Sequence, residues 1–235
     1  MTTIFASDIH GNQIMINKIR LAQKDFPMAT LVFGGDYIDG QDSSKQVLNF
    51  IEEQQIKHPN QTISLLGNHE DLLRQFVKYD NHDWFLNGAK KTIKSLFGRN
   101  FSKKQDRIHL NHYLINDRTN LISFIDNLKL YYYNQDGFFI HAYIDLTQDD
   151  ITKAINNTKI DDMIWNRNFV INNKWSVNKT NYHIFSGHTP TVLLKNVKLN
   201  KNYTGQITKF VNTSNNDSPV IQINYDNHKK LTLCD

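Results

Sequence analysis

Residues 29–40 have the sequence ATLVFGGDYIDG, a short apolar run that ends at two glycines and is followed by aspartates. The run Ala29–Phe33 predicts a buried β-strand, because it is short, continuous and bounded by glycine. The same arrangement occurs at Thr3–Ser7 and at Thr62–Leu66, and each of these runs leads directly into polar residues. These three predicted strands decide the fold class.

The segments between these strands have helical periodicity. Gln13–Phe26 and Ser43–Lys57 carry apolar residues at helical spacing, and a third helix is predicted to begin at His69 or Glu70. The order βαβαβα implies a parallel sheet with right-handed crossovers. Ligands bind beyond the carboxyl ends of such strands, so the polar motifs are predicted to meet at one edge of the sheet.

From Tyr79 onward the regular alternation of strands and helices is no longer predicted. The polar segment Tyr79–Asn127 is predicted to be a helical insertion over one end of the site, followed by strands at Leu128–Asn134 and Gly137–His141 and a helix at Asp145–Asn157. Later short strands are predicted at Tyr182–Ser186, Lys195–Leu199, Gly205–Phe210, Val220–Tyr225 and Lys230–Leu233. Since no repeat or low-complexity linker divides the sequence, we expect a single domain over residues 1–235.

Composition excludes several classes of protein. The 235 residues are 39% hydrophobic and 21% charged, which is typical of a soluble globular protein. The net charge of +4 is spread out without a basic block, so nucleic acid is not a favoured partner. A single cysteine, Cys234, excludes an internal disulfide and a thiolate metal cluster. With no signal-peptide pattern or membrane-length apolar run, the sequence predicts a cytoplasmic protein without a membrane partner; it does not indicate an oligomeric state.

The polar motifs contain the residue types that bind metal ions. If the chain stays extended after the first strand, Asp8 and His10 share a face and can bind one ion. Asp36 can bridge two ions with its two oxygens. A mixture of carboxylate, imidazole and amide ligands suits manganese, iron or zinc better than calcium. The candidate ligands are Asp8, His10, Asp36, Asn68, His141 and His188.

The ordered motifs resemble those of a known superfamily. They are Asp8-x-His10, Gly35-Asp36-x-x-Asp39, Gly67-Asn68-His69-Glu70, His141 and Gly187-His188. Together, over roughly residues 4–190, they resemble the calcineurin-like metallophosphoesterases. Residues 35–39 and 187–190 are most similar to the phosphoprotein phosphatases of bacteria and phages. The resemblance implies an α/β sandwich of two mixed β-sheets flanked by helices, with the helical insertion near the groove.

The resemblance also implies a pair of metal ions that share one carboxylate. Asp8, His10 and Asp36 would hold the first ion. The ligands of the second ion would be Asp36, Asn68, His141 and His188. Manganese is the first choice of metal, with iron or zinc as alternatives. Two such cations activate a bridging hydroxide for in-line attack on phosphorus.

Three further roles follow from the same resemblance. His69 would be the general acid that protonates the leaving oxygen, and Asp39 would hold it by a hydrogen bond. Arg167 would grip the substrate phosphate with its planar guanidinium. Asn68 is also predicted to contact the substrate.

The sequence departs from the family pattern at basic positions. Gly40 and Leu66 stand where the family commonly has arginine, and Tyr143 stands where it commonly has glycine. At least one basic group near the phosphate is therefore missing. The residues that could replace it are Arg74, Lys45, Arg99 and Arg107, although a structural ion pair is the preferred role for Arg74.

Three functions compete on this sequence. The leading hypothesis is a serine/threonine phosphoprotein phosphatase that acts on a phosphoprotein or a small phosphoester. The second is hydrolysis of a nucleotide or of a diadenosine polyphosphate. The third is a regulatory module that binds metal and phosphate without turnover. His69 argues against the third, because a binding module does not need an acid.

Overall fold

The computed structural model describes residues 2–100, 102–167, 178–180, 182–189, 208–210, 220–223 and 232–234. Its first third alternates strands and helices, as the apolar periodicity predicts. These elements are β1 Thr3–Ala6, α1 Gln13–Asp25, β2 Thr30–Phe33, α2 Ser44–Lys57, β3 Thr62–Ser64 and α3 Asn68–Tyr79. Strands β1 and β2 pair in parallel, as do β2 and β3.

The next segment is the helical insertion. It contains a 3-10 helix His82–Asn87, α4 Ala89–Phe97, α5 Lys103–Asn111, β4 Leu114–Ile115, β5 Thr119–Asn120 and α6 Leu121–Asp126. The segment is helical, as predicted, and this includes α5, whose sequence is mostly polar. α4 packs against α2, while α5 and α6 pack against α3. The insertion is therefore attached to the two helices that flank the loops after β2 and β3.

The remaining elements complete the two sheets. They are β6 Tyr131–Asn134, β7 Gly137–Ile140, α7 Ile151–Asn157, α8 Ile160–Trp165, β8 Ile184–Ser186, β9 Thr208–Phe210, β10 Val220–Ile223 and β11 Thr232–Cys234. The helix predicted from Asp145 begins only at Ile151, because the Asp150 side chain caps it by accepting from the Lys153 N–H at 2.9 Å. α8 was not predicted. The predicted strand 195–199 lies outside the described residues.

The two larger sheets are both mixed, and β4 and β5 form a separate antiparallel pair. The first has the strand order β11-β10-β1-β2-β3, in which only β11 runs antiparallel to its neighbour. The second has the order β6-β7-β8-β9, with a parallel pair β7–β8 between two antiparallel pairs. The predicted α/β architecture of two mixed sheets flanked by helices is confirmed.

Aromatic side chains join the two sheets. Phe5 of the first sheet lies 5.4 Å, between ring centroids, from Phe139 of the second, and Phe139 lies 5.0 Å from Phe185. Val32 and Leu65 complete this fully buried layer. Aromatic pairs of this kind add about 0.5–1.5 kcal/mol each beyond the area that they bury. The layer fixes the carboxyl ends of β1, β2, β7 and β8 relative to one another.

The outer face of each sheet is covered by helices. Alternate residues of β1, such as Ile4, point away from Phe5 into a core shared with α1, α2, α3 and the insertion. On the other sheet, Phe138 and Ile140 pack with Ala154 of α7 and Met163 of α8. Among the described residues, every helix is too short or too polar to cross a membrane.

Candidate metal centre and acid dyad

The loops that follow β1 and β2 are joined by backbone hydrogen bonds beyond the ends of the strands. The Asp8 N–H donates to the Gly35 carbonyl at 3.0 Å, and the His10 N–H donates to the Asp36 carbonyl at 2.9 Å. This pairing continues the parallel register of the strands into the loops. It carries the side chains of Asp8, His10 and Asp36 to the same edge of the sheet.

The backbone at this edge is left-handed at several residues that carry charged or imidazole groups. Positive φ angles occur at Asp8 (54°), His10 (48°), Asp36 (55°), Asp39 (67°) and His188 (62°). The extended conformation expected between Asp8 and His10 is therefore wrong, because the strand ends at Ala6 and the chain turns twice. Left-handed residues other than glycine cost about 1–3 kcal/mol each and concentrate at functional sites.

Asp36 stands between two groups of histidines. Its Oδ2 lies 3.6 Å from Nε2 of His10 and 3.9 Å from Nε2 of His69, while its Oδ1 lies 3.4 Å from Nε2 of His141. Asp36, His10 and His69 offer ligand atoms within 4.8 Å of one another, and so do Asp36, His141 and His188. One carboxylate thus serves two clusters, each of a size that suits a metal ion.

The amide of Asn68 provides a test of whether a cation fits. Its side-chain oxygen lies 2.9 Å from Nδ1 of His188 and 3.0 Å from Nε2 of His141, and 3.2 and 3.3 Å from the two carboxylate oxygens of Asp36. In this orientation the oxygen faces only acceptor atoms. Without a metal ion, rotating the amide by 180° would point its N–H donors at these acceptor atoms. With a cation bound among the acceptor atoms, the amide oxygen can keep its present position and bind the same cation. The donor set therefore fits a metal ion.

In three of the histidines, one ring nitrogen lies near a backbone carbonyl, and this contact orients the other ring nitrogen toward the metal cluster. Nδ1 of His10 lies 3.0 Å from the Ile38 carbonyl, Nδ1 of His141 lies 2.8 Å from the Gly34 carbonyl, and Nε2 of His188 lies 3.0 Å from the Trp165 carbonyl. A neutral imidazole that donates to a carbonyl through one nitrogen keeps the lone pair on the other nitrogen, which is then free to bind a metal ion. Histidines that bind metals are commonly held in this way.

The electrostatics of the cluster reflect crowded charges. Burial opposes ionisation of Asp36, but the neighbouring His141 and His69 hold its pKa well below the usual value. Burial alone would lower the pKa of His141, yet the charge of Asp36 raises it to about 9. Burial and the charge of His141 lower the pKa of His188 to about 3. The cluster thus attracts positive charge but cannot protonate all its members, which suits a metal cation.

Asp8 lies at the centre of a tightly packed corner. Its carboxylate accepts from the Ser7 hydroxyl at 2.6 Å and from the His188 N–H at 2.9 and 3.0 Å, and its Oδ1 lies 4.0 Å from Nε2 of His10. A Cβ at Gly187 would lie only 2.0 Å from Asp8 Oδ2. Glycine at 187 is therefore required for Asp8 and His188 to approach one another.

His69 and Asp39 form a buried dyad beside this cluster. Nδ1 of His69 lies 2.7 Å from Oδ2 of Asp39, and Nε2 of His69 is directed toward Asp36. Asp39 is fully buried. Its carboxylate accepts from the Trp84 indole N–H at 2.9 Å and from the Thr92 hydroxyl at 2.5 Å. Burial alone would lower the pKa of His69, but the charges of Asp36 and Asp39 raise it to about 9.

Trp84 and Thr92 belong to the insertion, and sequence reasoning missed their role. Thr92 Oγ1 also accepts from the Asp39 backbone N–H at 2.8 Å, so one hydroxyl holds both the main chain and the side chain of Asp39. Trp84 is fully buried, and its indole N–H is directed at the Asp39 carboxylate. Neither residue type signals such a role from its position along the chain.

Glu70 is a second residue whose role was not predicted. It lies in the first turn of α3 and is fully buried, and its carboxylate accepts from the backbone N–H groups of Asp36 and Tyr37, each at 2.8 Å. Burial and the nearby charge of Asp36 raise the pKa of Glu70 to about 7. The neighbouring Gly67 allows this approach, since a Cβ there would lie 2.3 Å from the Asp36 nitrogen. Glu70 thus fixes the loop that carries Asp36.

Arg167 lies next to the second cluster. Its Nε is 3.1 Å from Nε2 of His188, the same nitrogen that lies 3.0 Å from the Trp165 carbonyl. Only one of these can be a hydrogen bond at a time, because a protonated Nε2 cannot accept from the guanidinium. A proton on Nε2 of His188 would be donated to the Trp165 carbonyl, and the guanidinium of Arg167 would then not be held by this ring.

The other arginines considered from the sequence are engaged elsewhere. Arg74 pairs with Asp71 and lies 3.8 Å from Asp126, Arg99 pairs with Asp106, and Arg107 lies 3.5 Å from Asp80. The structural ion pair preferred for Arg74 is present. Lys45 lines a separate cavity with Glu53 and Lys57. These four residues do not contact the metal cluster.

Comparison with solved structures finds several similar chains at low identity. A protein serine/threonine phosphatase from Saccharomyces cerevisiae is 14% identical, with a TM-score of 0.45 over 70% of this chain and 52% of that one. A metallophosphoesterase from Sphaerobacter thermophilus is 17% identical, with a TM-score of 0.36 over 60% and 46% of the two chains. A cold-active protein-tyrosine phosphatase from a psychrophilic Shewanella is 17% identical, with a TM-score of 0.41 over 68% and 46%.

The chain thus spans about half the length of the solved structures that it matches. A search for similar curated proteins found no match. The family model for calcineurin-like phosphoesterases matches residues 1–212, which include every motif of the cluster and the dyad. The chain belongs to the calcineurin-like phosphoesterase family.

Proposed function

We propose that this chain is a metal-dependent phosphoester hydrolase whose 235 residues form one domain, with the insertion at about 79–127 beside the active site. The observation that carries the proposal is the position of His69. Its Nδ1 is held at 2.7 Å by the buried Asp39, while its Nε2 is directed toward the carboxylate shared by both metal clusters. A metal-binding module has no use for such an acid.

The proposed ligands follow the two sides of Asp36. Asp8 and His10 would hold the first ion with Asp36, and His141, His188 and Asn68 would hold the second. The inward amide oxygen of Asn68 supports this assignment, as do the histidine tautomers fixed by backbone carbonyls. When bound, a pair of such cations polarises a phosphate oxygen and activates water. Manganese is our first choice, with iron or zinc as alternatives.

His69 also belongs to the first cluster by distance, and two roles therefore compete for its Nε2. We assign it as the acid rather than as a ligand. The hydrogen bond from Nδ1 to Asp39 stabilises the protonated imidazole, which lacks the lone pair that a ligand needs. Nε2 then donates its proton to the leaving oxygen of the ester. Asp39 keeps the ring oriented and compensates its charge.

Arg167 is the proposed phosphate anchor. Its Nε is 3.1 Å from His188, at the border of the second cluster, and its side chain is exposed. A guanidinium can donate two parallel hydrogen bonds to one phosphate. The proposed contact between Asn68 and substrate remains a prediction, because the buried amide of Asn68 faces the histidines.

The proposed substrate is a protein phosphorylated on serine or threonine. Support comes from the motifs Gly35-Asp36-Tyr37-Ile38-Asp39 and Gly187-His188-Thr189-Pro190, which are most similar to those of phosphoprotein phosphatases. Hydrolysis of a diadenosine polyphosphate or a nucleotide is the competing substrate class. A cytoplasmic location and the absence of a nucleic-acid partner remain predictions from the sequence.

Two successive assays test first whether the protein turns over a phosphoester and then which class of substrate it prefers. The purified protein, loaded with manganese, should hydrolyse p-nitrophenyl phosphate, and His69→Asn should be far slower while keeping its metal. Absence of turnover in the loaded protein, with identical behaviour of His69→Asn, would support the binding module instead. Phosphoserine and phosphothreonine peptides should then be cleaved faster than diadenosine tetraphosphate, and the reverse order would overturn the phosphoprotein assignment.

A further inference from the structure

Three lysines form a basic groove beside the dyad. Lys90, Lys91 and Lys94 of α4 line, together with Asp42 and Asn100, a cavity of about 530 Å3, which we call the α4 lysine groove. All three lysines are exposed. Among the described residues, no ion pair involves any of them. The groove therefore presents three uncompensated positive charges against a single exposed carboxylate.

The groove is continuous with the loop that carries the proposed acid dyad. The Lys91 ammonium donates to the carbonyl of Gly40, the residue after Asp39. A Cβ at Gly40 would lie 2.9 Å from the Cβ of His10, so Gly40 packs directly against one of the proposed metal ligands. At the start of α4, a Cβ at Gly88 would lie 2.9 Å from the Cβ of Asp39. The groove and the proposed metal centre are therefore joined through the loop that carries Asp39 and Gly40.

Local helix physics does not favour these lysines. Lys90 and Lys91 lie in the first turn of α4, where the helix dipole favours negative charge, and that turn contains no acidic residue. Lys90 and Lys94 are four residues apart, so their charges repel on the same face. Both effects work against the stability of the exposed helix. Departures from local preference of this kind are expected where binding requires them.

We propose that the α4 lysine groove binds acidic side chains that flank the phosphorylated residue of a protein substrate. The proposal rests on the proposed phosphatase function and adds a preference for phosphopeptides with Asp or Glu near the phosphoresidue. The lysines are spread over about 6 Å along the helix axis, which matches separate carboxylates in an extended peptide.

The test compares two phosphothreonine peptides that differ only in their flanks, which are glutamates in one and glutamines in the other. For the native protein we expect a higher kcat/KM for the acidic peptide, with a preference that weakens as salt is raised. In the double variant Lys90→Gln with Lys94→Gln, the ratio of kcat/KM, acidic over neutral, should fall roughly fivefold, because two exposed ion pairs are lost. Lys91→Gln should lower the ratio by about a further factor of two.

The matched control is Lys24→Gln with Lys153→Gln, which removes the same charge from α1 and α7 and should leave the ratio unchanged. A thermal melt excludes unfolding, since neutralising Lys90 and Lys94 should not lower Tm. An unchanged ratio in the groove variant, or an equal fall in the control, overturns the groove while leaving the phosphatase function intact. The groove proposal is also overturned if the groove variant loses activity only on diadenosine tetraphosphate. Absence of turnover by the native protein on both peptides and on p-nitrophenyl phosphate overturns the proposed function, and the groove with it.

Discussion

The strand-end loops and the helical insertion contribute to one site in opposite ways. The loops supply the proposed ligands on a left-handed backbone, at Asp8, His10, Asp36 and His188. The insertion supplies none of those ligands, but its Trp84 and Thr92, on regular helical elements, hold Asp39 in place. The difference suggests a division of labour, in which the loops bind metal and the insertion orients the acid. If the two tasks are separate, substitutions in the loops should remove metal, whereas substitutions in the insertion should slow catalysis and leave the metal bound.

The largest effect is expected for Asp36→Asn, which removes the carboxylate shared by both clusters. Both metal sites lose a negatively charged ligand, so we expect the loss of both ions and a fall in kcat of roughly a thousandfold or more. Metal content after gel filtration and p-nitrophenyl phosphate hydrolysis measure these outcomes. Two ions retained with native affinity would contradict the shared-carboxylate assignment.

Asp39→Asn addresses the dyad without touching the proposed ligands. The amide cannot stabilise a protonated His69, so kcat should fall roughly a hundredfold, within the range of general acid catalysis. Metal content should remain at the native level, in contrast to Asp36→Asn. Loss of metal equal to that of Asp36→Asn would show that the two tasks are not separate and that His69 acts as a ligand.

A smaller effect is expected from the insertion itself. Thr92→Val removes the hydroxyl that donates to Asp39 at 2.5 Å and accepts from its backbone N–H at 2.8 Å. Because one charge-assisted hydrogen bond contributes about 1.5–3 kcal/mol, we expect kcat to fall roughly tenfold or somewhat more. KM and metal content should change little, since Thr92 contacts neither the proposed ligands nor the substrate.

Thr92→Ser is the control, because it keeps the hydroxyl and should restore most of kcat. Trp84→Phe should resemble Thr92→Val, since it deletes the indole N–H that reaches Asp39 but keeps an aromatic ring in the core. If Thr92→Val lowers Tm but leaves kcat unchanged, the insertion is only structural. The idea that it orients the acid would then be abandoned.

The strand-end loops and the insertion also differ in how far their roles can be predicted from the sequence. The proposed ligands can be recognised because Asp, His and Asn at the ends of apolar strands have few packing explanations, and parallel strands bring their carboxyl ends together. Trp84 and Thr92 lie 45 and 53 residues from Asp39 along the chain. A tryptophan or a threonine at helical spacing resembles ordinary core, so only the tertiary contact reveals its role.

The backbone conformation of the loop after β1 could not be predicted from the sequence either. Asp8 and His10 were expected to share a face of an extended chain, but both are left-handed, and Nε2 of His10 still lies 4.0 Å from Asp8 and 3.6 Å from Asp36. Asp and His tolerate this conformation better than most residues, yet nothing in their spacing requires it. The turn depends on hydrogen bonds to the neighbouring loop after β2, which is distant in sequence. For the same reason the role of Glu70 could not be predicted from the first turn of its helix.

The smallest effect, a change in stability, is expected at a buried carboxylate that lacks hydrogen-bond donors within the described part of the chain. Glu52 of α2 is 2% exposed, and among the described residues neither of its oxygens has a hydrogen-bond partner. Asp39, equally buried, has three donors to its carboxylate. An unsatisfied buried polar group costs about 1–3 kcal/mol. Glu52→Met, which keeps the volume and helix preference, should therefore raise the free energy of unfolding by about 1–2 kcal/mol, measured by urea denaturation.

Glu53→Met is the matched control, because Glu53 is 46% exposed and lies 3.7 Å from Lys57. Its effect should remain within about 0.5 kcal/mol. If Glu52→Met instead destabilises the fold, the carboxylate has a partner beyond the described residues, and its burial would have to be explained in the same way as that of Asp39. If it stabilises the fold and leaves kcat unchanged, burial of a carboxylate is not sufficient to mark function in this chain. Hydrogen-bond support for the buried charge then becomes the feature that distinguishes Asp39.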